Sequence, residues 1–184
     1  EPANWYGGSV DAYSDGASDI FGNGAAGNRT LTVYAKFIPA SQLGNAGRFT
    51  VGNVPSSGLS ANFKRGSSFT LTEPGRLSAF SIYLDGNGGY FSPTGEPAWQ
   101  TARVALYRDS NGVPGTKVAE SPLPCCQTDS RARWYTTQPP ADRVALEAGK
   151  YWFIVHTGGW GGIMRYFADG APGMWYGNAD QFSD

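Results

Sequence analysis

The sequence predicts an all-β protein, a jelly-roll-like β-sandwich with an N-terminal arm that carries a strand. Apolar and polar residues alternate over several short runs, which is the period of a half-buried strand. Turn-forming residues separate these runs, and the 184-residue chain contains 26 glycines and 12 prolines. No segment shows an apolar stripe over three helical turns, so a helical bundle is not expected.

The clearest alternation lies near the N-terminus, in residues 30–37. Leu31, Val33, Ala35 and Phe37 share one face of this predicted strand, and polar residues occupy most of the other face. Because successive side chains of a strand point to opposite faces, the apolar set is expected in a core.

Three further runs define the body of the sandwich. Residues 100–107 place Ala102, Val104 and Leu106 on one face. Phe80, Ile82 and Leu84 alternate in the same way but Leu77 is out of step, which predicts a β-bulge between them. Residues 150–156 are apolar on both faces, which indicates a central strand covered on both sides. Weaker strands are predicted at 48–52, 62–64, 69–71, 134–136, 144–146 and 162–167.

Charge and composition narrow the function classes. The net charge of −1 offers no basic stripe for a nucleic acid backbone, so no nucleic acid partner is expected. No apolar run approaches the ~20 residues of a membrane span. One histidine and two cysteines are too few for a Cys/His zinc site. Because the chain starts at Glu1 rather than Met, we expect a processed protein or a fragment.

Two distant segments, 5–15 and 175–184, resemble each other. Both begin W-Y-G and continue to an aspartate, an aromatic residue, a serine and an aspartate. The first copy leads through a glycine-rich loop into the strand at 30–37, whereas the second ends at Asp184, where that strand would follow. We therefore divide the chain into an arm, 1–38, and a sandwich body, 39–184, that lacks its last strand.

Three arrangements would explain this order. The arm folds back within its own chain, as in a circular permutation; or it inserts head-to-tail into a neighbouring copy, which builds a filament unless the contact closes; or the chain is a fragment of a tandem-repeat protein. In the first two, the complementing residues are Leu31, Val33, Ala35 and Phe37, which would cover the strand edge and core groove left open by the missing strand.

Several stretches carry a family resemblance. They are FKRGS (63–67) leading to FTL (69–71), LDGNGG (84–89), VALYRDSNGVPG (104–115), LEAGKYW (146–152) and RYF (165–167) before the second W-Y-G. Together with residues 5–37 in permuted order, they resemble bacterial secreted β-sandwich modules found in tandem, or beside catalytic domains, in extracellular carbohydrate-active and surface proteins. The resemblance implies a jelly-roll-like fold and an extracellular or cell-surface location.

Aromatic and acidic residues supply two candidate ligand sites. Trp99, Trp134 and Trp160 lie near glycine or proline, where exposed rings can stack on sugars; packing is the alternative role. Carboxylates on loops are ligands for Ca²⁺, but they also cap turns. The candidate calcium ligands are Asp11, Asp15, Asp19, Asp180 and Asp184. No other cofactor is expected.

Three further features concern modification and catalysis. Cys125 and Cys126 are adjacent, so a strained vicinal disulfide, pairing between chains and free thiols remain open. Asn28 begins an N-x-T glycosylation sequon. His156 is the one imidazole in the chain, and no G-x-S-x-G motif accompanies it, so we expect it to be structural or at the surface rather than catalytic.

These observations favour a non-catalytic extracellular structural or adhesive module. Its expected partners are copies of itself, assembled into a filament or surface repeat by strand complementation. The alternative is a carbohydrate-binding accessory module closed by its own arm, with a polysaccharide as partner. A hydrolase that uses His156 is a third and weaker hypothesis.

Overall fold

A computed structural model describes the chain in nine ranges: 25–27, 29–39, 44–56, 62–84, 102–123, 133–137, 144–158, 165–169 and 175–179. Within these ranges the chain forms strands and no helix. The strands, numbered β1 to β14 in chain order, form two sheets in which every pairing is antiparallel. The prediction of an all-β protein is therefore confirmed, and the two sheets are consistent with a β-sandwich.

The first sheet has six described strands in the order β1-β14-β6-β12-β8-β9. Its strands are β1 (Ala25–Gly27), β6 (Phe63–Leu71), β8 (Ala102–Ser110), β9 (Val113–Pro122), β12 (Gly149–Thr157) and β14 (Trp175–Ala179). We call it the six-stranded sheet. The first and last segments of the described chain therefore lie side by side, at one edge of this sheet.

The second sheet has eight described strands, and we call it the eight-stranded sheet. Its path is β2-β13-β7-β3-β4, with β10 and β11 also paired to β7 and β5 paired to β13. Its strands are β2 (Arg29–Leu31), β3 (Val33–Pro39), β4 (Gly44–Gly47), β5 (Val54–Ser56), β7 (Gly75–Leu84), β10 (Arg133–Thr137), β11 (Ala145–Leu146) and β13 (Arg165–Asp169). β7 is the organising strand, because β3 lies on one side of it and β10 and β11 on the other.

Among the described residues, the larger of two buried apolar clusters contains side chains from both sheets, and we call it the main core. Val104 and Leu106, predicted to point inward, are fully buried in it, and the rings of Phe80 and Phe153 meet edge to face across it at 5.4 Å. The eight-stranded sheet also contributes Ile82 to this core. Buried apolar area of this kind stabilises the fold by about 25 cal/mol per Å².

β12 is the central strand that the sequence predicts. It pairs with β6 on one side and with β8 on the other. Phe153 and Val155 face the main core, whereas Trp152 and Ile154 belong to a second buried cluster on the opposite face. The strand is therefore buried on both faces, as its continuous apolar sequence predicts.

The predicted bulge between Leu77 and Phe80 is also confirmed. β3 pairs with β7 in regular register as far as Lys36 opposite Ala79, and the register then shifts so that Phe37 lies opposite Leu77. The extra residue allows Leu77 and Phe80, three positions apart, both to be fully buried.

Two strand predictions are wrong in detail. Residues 48–52 form no strand; the Arg48 N–H donates to Val33 O at 2.7 Å and the Gly52 N–H donates to the Thr32 hydroxyl at 2.9 Å. The predicted strand 30–37 is divided by a bend at Thr32, which is fully buried although alternation placed it on the outer face. The hydrogen bond that Gly52 donates gives the buried Thr32 hydroxyl a partner.

Candidate functional site

The arm contributes three strands, and each pairs with a strand from much later in the chain. β1 pairs with β14, β2 pairs with β13, and β3 pairs with β7. β1 and β2 thus extend one sheet each, and β3 lies inside the eight-stranded sheet between β7 and β4. The arm therefore takes part in both layers of the sandwich.

β3 occupies a position between β7 and β4, which we call its seat, and two of its side chains lie in the main core. Val33 and Ala35 are 2% and 1% exposed, and both belong to the main core. Leu31 lies in β2 opposite Phe167, and Phe37 lies in β3 opposite Leu77. Val33 and Ala35 are thus confirmed as core residues, whereas the side chains of Leu31 and Phe37 lie outside the described part.

These pairings are made within one chain. The backbone of β3 forms a ladder with β7 from Val33, opposite Ile82, to Pro39, opposite Gly75. Because strand exchange between identical chains reproduces the same contacts, an arm supplied by another copy would meet this same ladder and core.

Trp134 is the one predicted sugar-binding tryptophan in the described ranges. It lies in β10 opposite Tyr83 of β7, and the two rings meet edge to face at 5.6 Å. Both residues are half-buried, so part of the aromatic pair faces solvent. Tyr83 was not singled out from the sequence, because cross-strand register decides its proximity to Trp134.

The other predicted sites lie outside the described residues. These are Trp99 and Trp160, the calcium candidates Asp11, Asp15, Asp19, Asp180 and Asp184, the pair Cys125 and Cys126, and Asn28 of the sequon. Within the described ranges, His, Cys, Asp and Glu form no group of three or more that is arranged to hold a metal ion.

A row of basic residues crosses the outer face of the six-stranded sheet, the face opposite the main core. His156 of β12 lies between Lys64 of β6 and Arg103 of β8 in direct cross-strand register. Lys64 and His156 are each 1% exposed, and Arg103 lies 3.6 Å from the Glu120 carboxylate of β9. This row was not predicted from the sequence, because its three members lie one on each of three strands, near the strand ends.

The Asp109 carboxylate lies at the other end of the same face, beside the turn between β8 and β9. Asp109 accepts hydrogen bonds from the Trp152 indole at 2.8 Å and the Gly112 N–H at 3.0 Å. Lys150 lies 3.4 Å from it and stacks over the Trp152 ring. Burial raises the pKa of Asp109, but these hydrogen bonds and the Lys150 charge outweigh that effect, so the pKa lies below its ordinary value.

Comparison with known proteins returned no match to a family model, a curated protein or a solved structure. Within the described ranges there is no helix with the length and apolar character needed to cross a membrane.

Proposed function

We propose that the protein is a non-catalytic extracellular structural module that assembles with copies of itself by exchanging its N-terminal arm. β3 leaves one subunit and occupies the seat between β7 and β4 of the next, so that the subunits join head-to-tail. β1 and β2 travel with it to β14 and β13 of the same neighbour. A heterologous contact of this kind builds a filament unless it closes into a ring.

The observation that carries the proposal is the position of β3. It is an internal strand from an N-terminal arm, and it buries Val33 and Ala35 against strands that follow much later in the chain. Without it, β7 would present a long unpaired edge beside an open core, which is a template for a strand from another copy. The bulge in β7, opposite the Lys36–Phe37 step of β3, adds register specificity to this contact.

The non-catalytic part of the proposal is supported by the environment of the single imidazole. His156 is 1% exposed and lies in register between two basic residues, Lys64 and Arg103. A general base needs access to its substrate, and a side chain buried to this extent has little. This setting instead suits a structural role for His156.

Substitution at Val33 tests the assembly. Removing the valine side chain forfeits about 1.5–3 kcal/mol of burial, and an aspartate there adds the several kcal/mol needed to bury an unpaired charge. We expect Val33→Asp to abolish assembly. Lys36→Asp is the matched control, because Lys36 lies on the same strand but is exposed. Electron microscopy and light scattering would show oligomers for the wild type and the control only; oligomers that survive Val33→Asp would refute the proposal.

A carbohydrate-binding module closed by its own arm is the second candidate. The half-buried Trp134–Tyr83 pair favours it, because an aromatic ring at a sheet surface can stack on a sugar. Trp134→Ala would then abolish retention on a glycan array. Thr136→Ala is the control, since Thr136 lies two positions along the same strand on the same face. Equal retention of wild type and Trp134→Ala would reject this site.

A further inference from the structure

The bend between β2 and β3 receives hydrogen bonds from two other parts of the chain. The Tyr83 N–H of β7 donates to Thr32 O at 3.0 Å, and the Arg48 N–H donates to Val33 O at 2.7 Å. These two bonds use backbone acceptors, which any sequence offers. The Gly52 N–H instead donates to the Thr32 hydroxyl at 2.9 Å, so this third bond depends on the side chain at position 32.

The bond between Gly52 and the Thr32 hydroxyl is shielded from water. Thr32 is fully buried, and Gly52 is buried as well. A buried N–H that loses its acceptor weakens a contact by about 5- to 150-fold. Leu31 and Val33 flank Thr32 and carry no side-chain acceptor. A strand shifted by one position would therefore leave the Gly52 N–H without this partner.

The next buried positions of β3 impose limits on size. Ala35 lies in register between Ala46 of β4 and Phe80 of β7, and all three residues belong to the main core. A larger side chain at position 35 would overpack this core, which weakens a contact by about 5- to 150-fold. Val33 fills the core two positions earlier and is 2% exposed. The described environment thus specifies three of the four residues from 32 to 35.

We propose that the seat of β3 selects its strand by the pattern Thr-Val-x-Ala at positions 32–35, with the Thr32 hydroxyl as the specificity-determining group. The partner that fits is a strand with a small hydroxyl residue at the bend, a branched apolar residue after it and alanine two positions later. The arm of a second copy of this chain provides this pattern. The inference rests on the arm being the strand that fills the seat, and it holds whether that arm comes from the same chain or from a neighbour.

A peptide of residues 29–39, added to the full-length Val33→Asp chain, tests this selection. The aspartate disables the chain's own arm, so the peptide competes for the seat wherever that arm would otherwise go. Fluorescence anisotropy of the labelled peptide measures binding. Two matched pairs of peptides isolate the hydroxyl at constant shape: wild type against Thr32→Val, and Thr32→Ser against Thr32→Ala. Lys36→Ala is the control, because Lys36 is exposed.

The hydroxyl-bearing peptide of each pair should bind at least about fivefold more tightly than its partner. Ala35→Leu should weaken binding to a similar extent, and Lys36→Ala should leave it unchanged. Thr32→Val binding as tightly as the wild-type peptide would overturn the proposal, because a seat that selects only apolar bulk favours valine. This readout needs no filament, so a chain that stays monomeric would contradict arm exchange and not the selection rule.

Amide hydrogen exchange in the full chain decides the matter if the Val33→Asp chain does not fold. With the arm otherwise wild type, Thr32→Val should accelerate exchange of the Gly52 N–H at least about fivefold relative to the Arg48 N–H, whose acceptor is a backbone carbonyl. Thr32→Ser should leave this ratio unchanged. A ratio that Thr32→Val also leaves unchanged would overturn the proposal.

Discussion

Replacing Gly66 with alanine tests how closely β6 and β12 approach at the centre of the six-stranded sheet. Gly66 lies opposite Ile154 of β12 and opposite Tyr176 of β14. A Cβ atom at Gly66 would meet the carbonyl oxygen of Phe153, and it would lie 2.7 Å from the Phe153 carbonyl carbon and 2.8 Å from Ile154 Cα. All three are backbone atoms, so no side-chain rotation relieves the overlap.

The expected loss of stability follows from the distance by which the new methyl group would push the two strands apart. Non-bonded carbon atoms approach to about 3.5–4.0 Å, so the two strands must move apart by about 1 Å. A ladder hydrogen bond of about 2.9 Å would stretch beyond 3.5 Å and be lost. If about two buried bonds are lost, at about 1–3 kcal/mol for each group left unsatisfied, Gly66→Ala destabilises the fold by about 2–5 kcal/mol.

Urea denaturation followed by circular dichroism measures this loss. Ser68→Ala is the matched control, because Ser68 is buried two positions along the same face of β6 and already carries a Cβ atom. We expect a clear fall in midpoint for Gly66→Ala and a change below about 1 kcal/mol for the control. A Gly66→Ala variant as stable as the wild type would refute the close approach of β6 and β12.

Two further predictions concern single side chains. Asp109→Asn should cost about 0.5–1.5 kcal/mol at pH 7, since it removes the charge facing Lys150. The pKa of Asp109 is lowered on folding, so its contribution to the free energy of unfolding is present above the unfolded pKa of about 3.9. This contribution is lost as the pH falls through the folded pKa. The stabilities of the variant and the wild type should therefore converge in acid titrations followed by fluorescence. Thr137→Val should cost about 1–3 kcal/mol in thermal denaturation, because the Thr137 hydroxyl of β10 donates to Pro122 O of β9 at 2.7 Å and hydrogen-bonds Ser121 at 2.8 Å. Unchanged stability in Thr137→Val would contradict this bridge between the sheets.

Alternation predicted those strands whose one face lies in the main core. β8 and the part of β7 from Phe80 to Leu84 follow it closely, and the step out of phase at Leu77 located the bulge. β12 was recognised because it is apolar on both faces. In each case the buried side chains themselves carry the signal.

Edge strands, and the pairing of residues on neighbouring strands, could not be predicted from alternation. β9 is an edge strand in which most residues are half-buried or exposed, so its sequence shows little alternation. Residues 48–52 alternate weakly, but their hydrogen bonds go to the Thr32–Val33 bend rather than to a ladder. The Lys64–His156–Arg103 row depends on register between strands far apart in sequence, which one strand's pattern does not contain.

Covalent capture of β3 in its seat tests the exchange of the arm most directly. Lys36→Cys and Ser78→Cys, with Cys125 and Cys126 changed to serine, place two thiols across the β3–β7 contact, where the Ser78 hydroxyl donates to Lys36 O at 3.1 Å. A short bismaleimide would join them, and each single-cysteine variant serves as control. Arm exchange predicts a ladder of covalent multimers on a denaturing gel. Cross-linked product of monomer length alone would contradict it and leave the arm closed within its own chain.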